Sequence, residues 1–276
     1  MSKAVTRVVS RNRLATTAFV VIVLAVLAAV AAPWLPLSDP DAVDTKHRLQ
    51  PPFSTGHTLG TDEFGRDLAS RLVWGARVSL LAGVGTAALA MLVGVTLGIL
   101  GGYYTGWIEN TVMRLTDILM AFPYILLAIA IVAGLGPGLR NAMIAIAIVG
   151  FPLYTRLVRS VVLSVKEREF VEAARALGSG DLVILGRHVM PHLLSPLIVA
   201  FSLDVGAKIL ATAGLSFLGL GTEPPTADWG SMLATGRQFV MLRPHVVLLP
   251  GLAIFVMVLA LNLVGDAVRD VLDPRT

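Results

Sequence analysis

Asp204 and Lys208 stand four residues apart inside an otherwise apolar stretch, which puts a carboxylate and an ammonium one helical turn from each other. Charges at bilayer depth are costly unless they are paired or face a polar cavity, so such a pair is a functional candidate by default. Two roles fit it: lining a path for a polar solute, or mutual neutralisation at an interface with a second subunit. Arg114 and Asp117, three residues apart, make a second candidate pair, structural or gating, and Pro123 is expected to kink the helix that carries them. His188 and His192 have the spacing of a metal site on a helix face, but Pro191 interrupts that geometry and no neighbouring acid or cysteine completes a ligand set. Asp62, Glu63 and Asp67 lack the spacing of an EF-hand, and Arg66 among them opposes a cation, so an ordered outer element is expected there. Ser216 is followed by Phe217 and Leu218 with no histidine nearby, which is not a nucleophile elbow. No catalytic residue and no metal site is expected.

The elements that must hold these residues follow from composition. The chain is 55% hydrophobic and 14% charged, with a mean hydropathy of +0.78. A soluble domain carries roughly 25% charged residues, so this surface is built for lipid. Apolar runs are expected to span the membrane at residues 17–37, 78–102, 115–135, 141–163, 193–215 and 246–265. Backbone polar groups in lipid must be satisfied within each segment, and no strand-like alternation occurs, so the fold class is an all-α integral membrane protein of six helices. The absence of cysteine excludes disulfides and thiolate metal sites.

The first run follows Lys3, Arg7, Arg11 and Arg13, and Ala29-Val30-Ala31 resembles a signal-peptide cleavage site. Its length exceeds a signal h-region and further spans follow, so it is read as an uncleaved first span. Residues 38–77, rich in Pro, Asp and Gly, are too polar for lipid and belong in water on the far side. Between the fourth and fifth spans, Arg156, Arg159, Lys166, Arg168, Arg175 and Arg187 form a second basic cluster. Both clusters place both termini in the cytoplasm by the positive-inside rule. The net charge of +4 reflects that bias, and no nucleic-acid partner is expected.

Residues 164–177 suit a helix, Gly178-Ser179-Gly180 ends it, and Asp181 caps a second short helix that Pro191 is expected to stop. Glu172-Ala173-Ala174, then Gly178, then Pro191 resembles the EAA loop of ABC-importer permeases, here spanning about residues 164–191. Four further stretches resemble the C-type permease of the peptide/nickel subfamily: residues 59–67, 114–123, 215–221 and 228–232, together with the tail 262–270. Two positions depart from the family pattern: His188 replaces an aliphatic residue three before the proline, and Thr212 replaces a common acidic residue.

The resemblance implies a six-helix type I importer permease in a bacterial inner membrane. It implies that Glu172, Ala173, Ala174, Gly178 and Pro191 belong to a cytoplasmic coupling helix docked on an ATPase subunit. Residues 1–37 would be the cytoplasmic tail and first helix, 38–77 an extracytoplasmic segment, 78–265 the permease core and 266–276 a cytoplasmic tail. Implied partners are a homologous permease in a heterodimer, two nucleotide-binding domains that hold ATP and Mg, an extracytoplasmic solute-binding protein and membrane lipid. The chain itself has no G-x-x-x-x-G-K-[ST] loop and binds no cofactor. Di- and oligopeptides are the expected solutes, nickel or another small solute the alternative within the family. An ion-coupled secondary transporter is the alternative outside it, although no internal repeat is evident.

Overall fold

The apolar runs become helices, and the computed structural model describes them over residues 13–272 of the 276 in the chain. Lys3, Arg7 and Arg11 of the first basic cluster, and residues 273–276 of the expected tail, lie outside the described residues. Helix α1, Arg13–Ala31, runs into a short 3-10 turn at Ala32–Trp34 in which Pro33 occupies the first turn. Helix α2, Leu68–Tyr103, begins well before residue 78, where hydropathy places the span. The reason is Arg71, whose buried guanidinium reaches the Pro40 carbonyl at 2.9 Å, Asp41 at 3.3 Å and Asp62 at 3.4 Å. A charge satisfied in this way does not have to leave the helix. Asp67 caps the start, accepting from the Ser70 amide at 2.8 Å.

The third expected span is not one kinked helix. Helices α3, Trp107–Met120, and α4, Tyr124–Leu135, meet at 97°. Pro123 is the N-cap of α4, and a proline there both lacks an amide hydrogen and pushes Phe122 out of helical geometry, so the chain turns instead of bending. Helix α5, Leu139–Lys166, follows, then the short α6, Glu169–Ala176. After the turn at Gly178 the chain enters α7, Asp181–Phe217, a continuous segment of 37 residues. Pro191 therefore does not stop a helix. A π-helical turn at Ile184–Val189 precedes it, and the wider hydrogen-bonding pattern accommodates a residue that cannot donate. Helices α8, Trp229–Gly236, and α9, His245–Leu272, complete the described chain. Among the described residues, α1 with its 3-10 turn, α2, α5, α7 and α9 are each long and apolar enough to cross a membrane, and the α3/α4 pair supplies the sixth apolar segment.

The centre of the bundle is the α2–α5 contact, the most extensive between any two elements. Gly94, Gly98 and Gly102 on α2 face Tyr154, Val158 and Val162 on α5, so numbering rises in the same direction along both and the helices run parallel. A Cβ at Gly98 would lie 2.6 Å from Val158 Cβ, and one at Gly102 would lie 2.8 Å from Val162 Cβ. Helix α7 packs across α2, α5 and α9, and α9 also carries α1. Leucines and phenylalanines on the outward faces of α1 and α9, among them Leu24, Leu27, Leu252 and Phe255, remain exposed, as they must where the solvent is lipid.

Replacing Gly98 by valine is expected to lower the stability of the purified protein in detergent by about 1–3 kcal/mol, the range for overpacking a filled contact. Gly134→Ala, at a position with nothing within 4 Å of the new Cβ, should stay within about 1 kcal/mol of the parent. Thermal unfolding of both variants followed by circular dichroism checks the ranking.

Candidate functional site

Two groups of candidate residues stand out, one at the α6 end of the bundle and one within it. At the α6 end, α5 finishes at Lys166, whose ammonium donates to the Gly102 carbonyl at 3.0 Å and so ties the end of α5 to the last turn of α2. Helix α6 then presents two faces. Val171 and Ala174, three residues apart, are buried against Ile184, Val189 and the neighbouring core. Glu172, Ala173, Arg175 and Ala176 are exposed. The helix ends in a Schellman turn: the Gly178 amide donates to Arg175 O and the Ser179 amide to Ala174 O, both at 3.0 Å, with Gly178 at φ +84°. A glycine is needed for that conformation, not for space, since nothing lies within 4 Å of its missing Cβ. Leu177 and Leu182 are 88% and 84% exposed, so the α6 end carries apolar side chains beside acidic Glu169 and Glu172 and basic Arg168 and Arg175. Asp181, at the start of α7, accepts from the Tyr103 hydroxyl at 2.6 Å, a second tie to α2.

Sequence spacing brings Glu172, Ala173, Ala174 and Gly178 together as one element. Pro191 lies apart from them, in the first turn of the α-helical part of α7. His188 and His192 both lie against the Phe170 ring, and among the described residues no group of His, Cys, Asp or Glu is arranged to hold a metal ion.

Within the bundle, Asp204 and Lys208 are buried and form the expected pair, with Nζ 3.2 Å from Oδ1. Two tyrosines that sequence reasoning overlooked complete the set. Tyr154 on α5 donates its hydroxyl to Asp204 Oδ2 at 3.0 Å. Lys208 donates to the Tyr124 hydroxyl at 3.1 Å and stands 5.1 Å from the centre of that ring. A signal was present: a tyrosine buried in a span needs a partner for its hydroxyl. Gly150 gives the lysine room, because a Cβ there would lie 2.5 Å from Nζ. Thr212 sits one turn on and spends its hydroxyl on the carbonyls of Lys208 and Ile209. The charged pair forms one wall of a cavity of about 330 Å³ whose other walls include Phe122, Tyr124, Gly150 and Pro152. A larger groove of about 570 Å³ between α7 and α9 is lined by apolar side chains with Asn262 the polar exception, and offers no comparable chemistry.

The Arg114–Asp117 pair does not form. Asp117 is engaged by Arg156 of α5 at 2.6 Å, and Glu109 of α3 pairs with Arg159 one turn further along α5. Arg114 is exposed, and among the described residues it has no ion-pair partner. These two bridges tie α3 to α5, a link that spacing along one helix cannot reveal. In the segment at 59–67, Asp62 accepts from the Phe64 and Arg66 amides at 2.8 and 2.9 Å and from Arg66 Nε at 2.6 Å. Its oxygens are thus committed to donors, and the segment is a buried polar knot rather than an open cation loop.

Residues 94–276 match the family described as binding-protein-dependent transport system inner membrane component, and residues 2–52 match the N-terminal TM domain of oligopeptide transport permease C. A dipeptide transport system permease protein of Alkalihalophilus pseudofirmus is 47% identical over 265 residues, covering 96% of this chain and 87% of that protein. A glutathione transport system permease protein of Pectobacterium atrosepticum is 44% identical over 96% of this chain and 88% of its own length. Among solved structures, the inward-facing MetNI methionine ABC transporter matches with a TM-score of 0.60 at 20% identity, over 74% of this chain and 97% of that one, which is a likeness of fold.

Removing one member of the buried pair leaves the other charge unpaired. Asp204→Ala is therefore expected to destabilise by about 3–5 kcal/mol, whereas the double variant Asp204→Leu with Lys208→Met should recover most of that loss. Unfolding of the single and double variants in the same detergent decides it.

Proposed function

The chain belongs to the binding-protein-dependent transport system inner membrane component family, the permeases of ABC importers, and from that premise we propose that it forms half of a translocation pathway for di- or oligopeptides. It is a non-catalytic, multi-pass membrane subunit of the importer, and ATP is hydrolysed by a partner. The proposal for the solute is supported by the dipeptide and glutathione permeases, which resemble this chain along nearly all of its length.

The observation that carries the mechanism is the geometry of α6. A short helix anchored by Val171 and Ala174 leaves Glu172, Ala173 and the apolar tip at Leu177 and Leu182 facing outward. In our reading this face docks on a cytoplasmic nucleotide-binding domain. The small alanine lets the two surfaces approach, Glu172 contributes charge and hydrogen bonding, and the Gly178 turn fixes the angle between α6 and α7. Residues 164–191 are then the cytoplasmic loop, 38–77 the extracytoplasmic segment near the solute-binding protein, and both termini are cytoplasmic. A homologous permease completes the pore, with two nucleotide-binding domains holding ATP and Mg beneath.

The Asp204–Lys208 wall supports a place on the solute path. The pair adjoins a cavity, is fixed by two tyrosines from different helices, and carries no net charge that would trap a charged solute. Arg156–Asp117 and Arg159–Glu109 would brace α3 against α5 on the cytoplasmic side of that cavity. Pro123 sets the turn of α3 into α4 at its edge.

The tagged chain purified from its native membranes should bring with it a second permease and ATPase subunits, and the complex should hydrolyse ATP and take up a labelled dipeptide in proteoliposomes. Glu172→Arg should reduce ATPase retention or ATP-driven uptake at least about tenfold, the effect of roughly 1.4 kcal/mol at the contact. A complex without ATPase subunits whose transport follows an imposed ion gradient would sink the reading. ATP-driven uptake of nickel in place of dipeptide would overturn the solute alone.

A further inference from the structure

Phe170 stands in the first turn of α6, and its ring lies against two imidazoles of α7. The ring centres of His188 and His192 are each 5.9 Å from it, the first inclined at 40° and the second stacked at 27°. These separations are those of rings in contact. The two histidines come from different kinds of backbone. His188 belongs to the π-helical turn Ile184–Val189, and His192 to the first α-helical turn after it. Phe170 thus spans the point where the π-turn of α7 gives way to the α-helix that continues it.

That location matters mechanically. A π-turn is a local defect in the ladder of hydrogen bonds, and such defects are where long helices bend. From it, α7 continues unbroken to Asp204 and Lys208. Helix α6 itself is held by Val171, fully buried, whereas Phe170 is 39% exposed and is not part of the buried cores. A half-exposed aromatic in contact with both the π-turn and the α-helical turn after it contributes little to burial, but it links α6 to the downstream boundary of the defect.

We propose that Phe170, clasped by His188 and His192, is a positioning residue that transmits displacement of α6 through the π-turn to α7 and so to the Asp204–Lys208 wall. This rests on the reading of α6 as the ATPase contact. Without the ring, α6 would still dock, but its movement would be absorbed at the turn.

The test uses the whole importer, reconstituted with its partner permease, ATPase subunits and binding protein, with tritiated dialanine as the solute. F170A is expected to keep its ATPase subunits and its basal ATP hydrolysis within about twofold of the parent, while binding-protein-stimulated hydrolysis and uptake fall about tenfold. F170Y, which keeps the ring, should restore both. H188A/H192A should resemble F170A, and the triple variant should be no worse than either, because residues acting as one unit are not additive. Unchanged uptake in F170A, equal loss in F170Y, or a triple variant whose loss is the product of the separate losses would each overturn the proposal. So would loss of the ATPase subunits from F170A, which would make Phe170 a docking residue. If the unsubstituted complex shows no ATP-driven uptake, the importer reading fails first, and the transmission role with it.

Discussion

Two helices in lipid gain nothing from hiding apolar side chains from each other, since the acyl chains are equally apolar, so their association depends on how closely the backbones approach. Along α2 that approach is made by Gly94, Gly98 and Gly102, which leave no side chain between the helix and Tyr154, Val158 and Val162 of α5. The register so fixed has two consequences at opposite ends of the contact. It holds Tyr154 where its hydroxyl meets Asp204, and it brings Lys166 to the Gly102 carbonyl, which sets the point at which α6 departs. The buried pair and the exposed helix are therefore positioned by the same row of glycines. A shift of one turn between α2 and α5 would misplace both.

What the amino-acid sequence revealed divides along the same physical line. Features set by local chemistry were legible: the apolar runs, the Glu172 to Gly178 element with its left-handed glycine, and the Asp204–Lys208 pair at one helical turn. Features set by a partner distant in sequence were not. Asp117 prefers Arg156 over Arg114 because the tertiary fold carries α5 past α3, and the neighbour three residues away points elsewhere. Pro191 reads as a stop because a proline lacks an amide hydrogen, yet a preceding π-turn removes the need for one. Arg71 reads as part of the polar stretch before the second helix until Asp41, Asp62 and the Pro40 carbonyl are brought to it, which lets it sit in the first turn of α2. Tyr124 and Tyr154 were passed over since a tyrosine in an apolar run looks like packing until its hydroxyl is followed.

Pro196 in α7 and Pro250 in α9 lie away from the lining of the cavity, but three other irregularities gather around it or lead to it. Pro123 starts α4 beside the cavity, Pro152 lines it from α5, and the π-turn interrupts α7 on the way to it. Each removes or displaces backbone hydrogen bonds that a continuous helix would have kept, which is tolerable in a membrane only where protein or a polar cavity surrounds the defect. The α2–α5 contact has no such defect on the α2 side, and it is where side chains interlock with backbone. The closest backbone approach and the irregular turns nearest the charged pair thus meet on α5, where Pro152 lines the cavity two residues before Tyr154.

That distribution bears on how a push at α6 is felt inside the bundle. Val171 anchors α6 to a core that includes Val158 and Val162, which the glycines of α2 hold in place. The same core includes Ile184, Val189 and Leu193 of α7, so α6 is packed against both α5 and the π-turn of α7. Lys208 sits further along α7, tied to Tyr124 at the start of α4. Asp204, one turn away on the same helix, is tied in turn to Tyr154 of α5. The intrahelical pair moves as a unit, so the bonds at stake are those that hold it to other helices, Lys208 to Tyr124 of α4 and Asp204 to Tyr154 of α5.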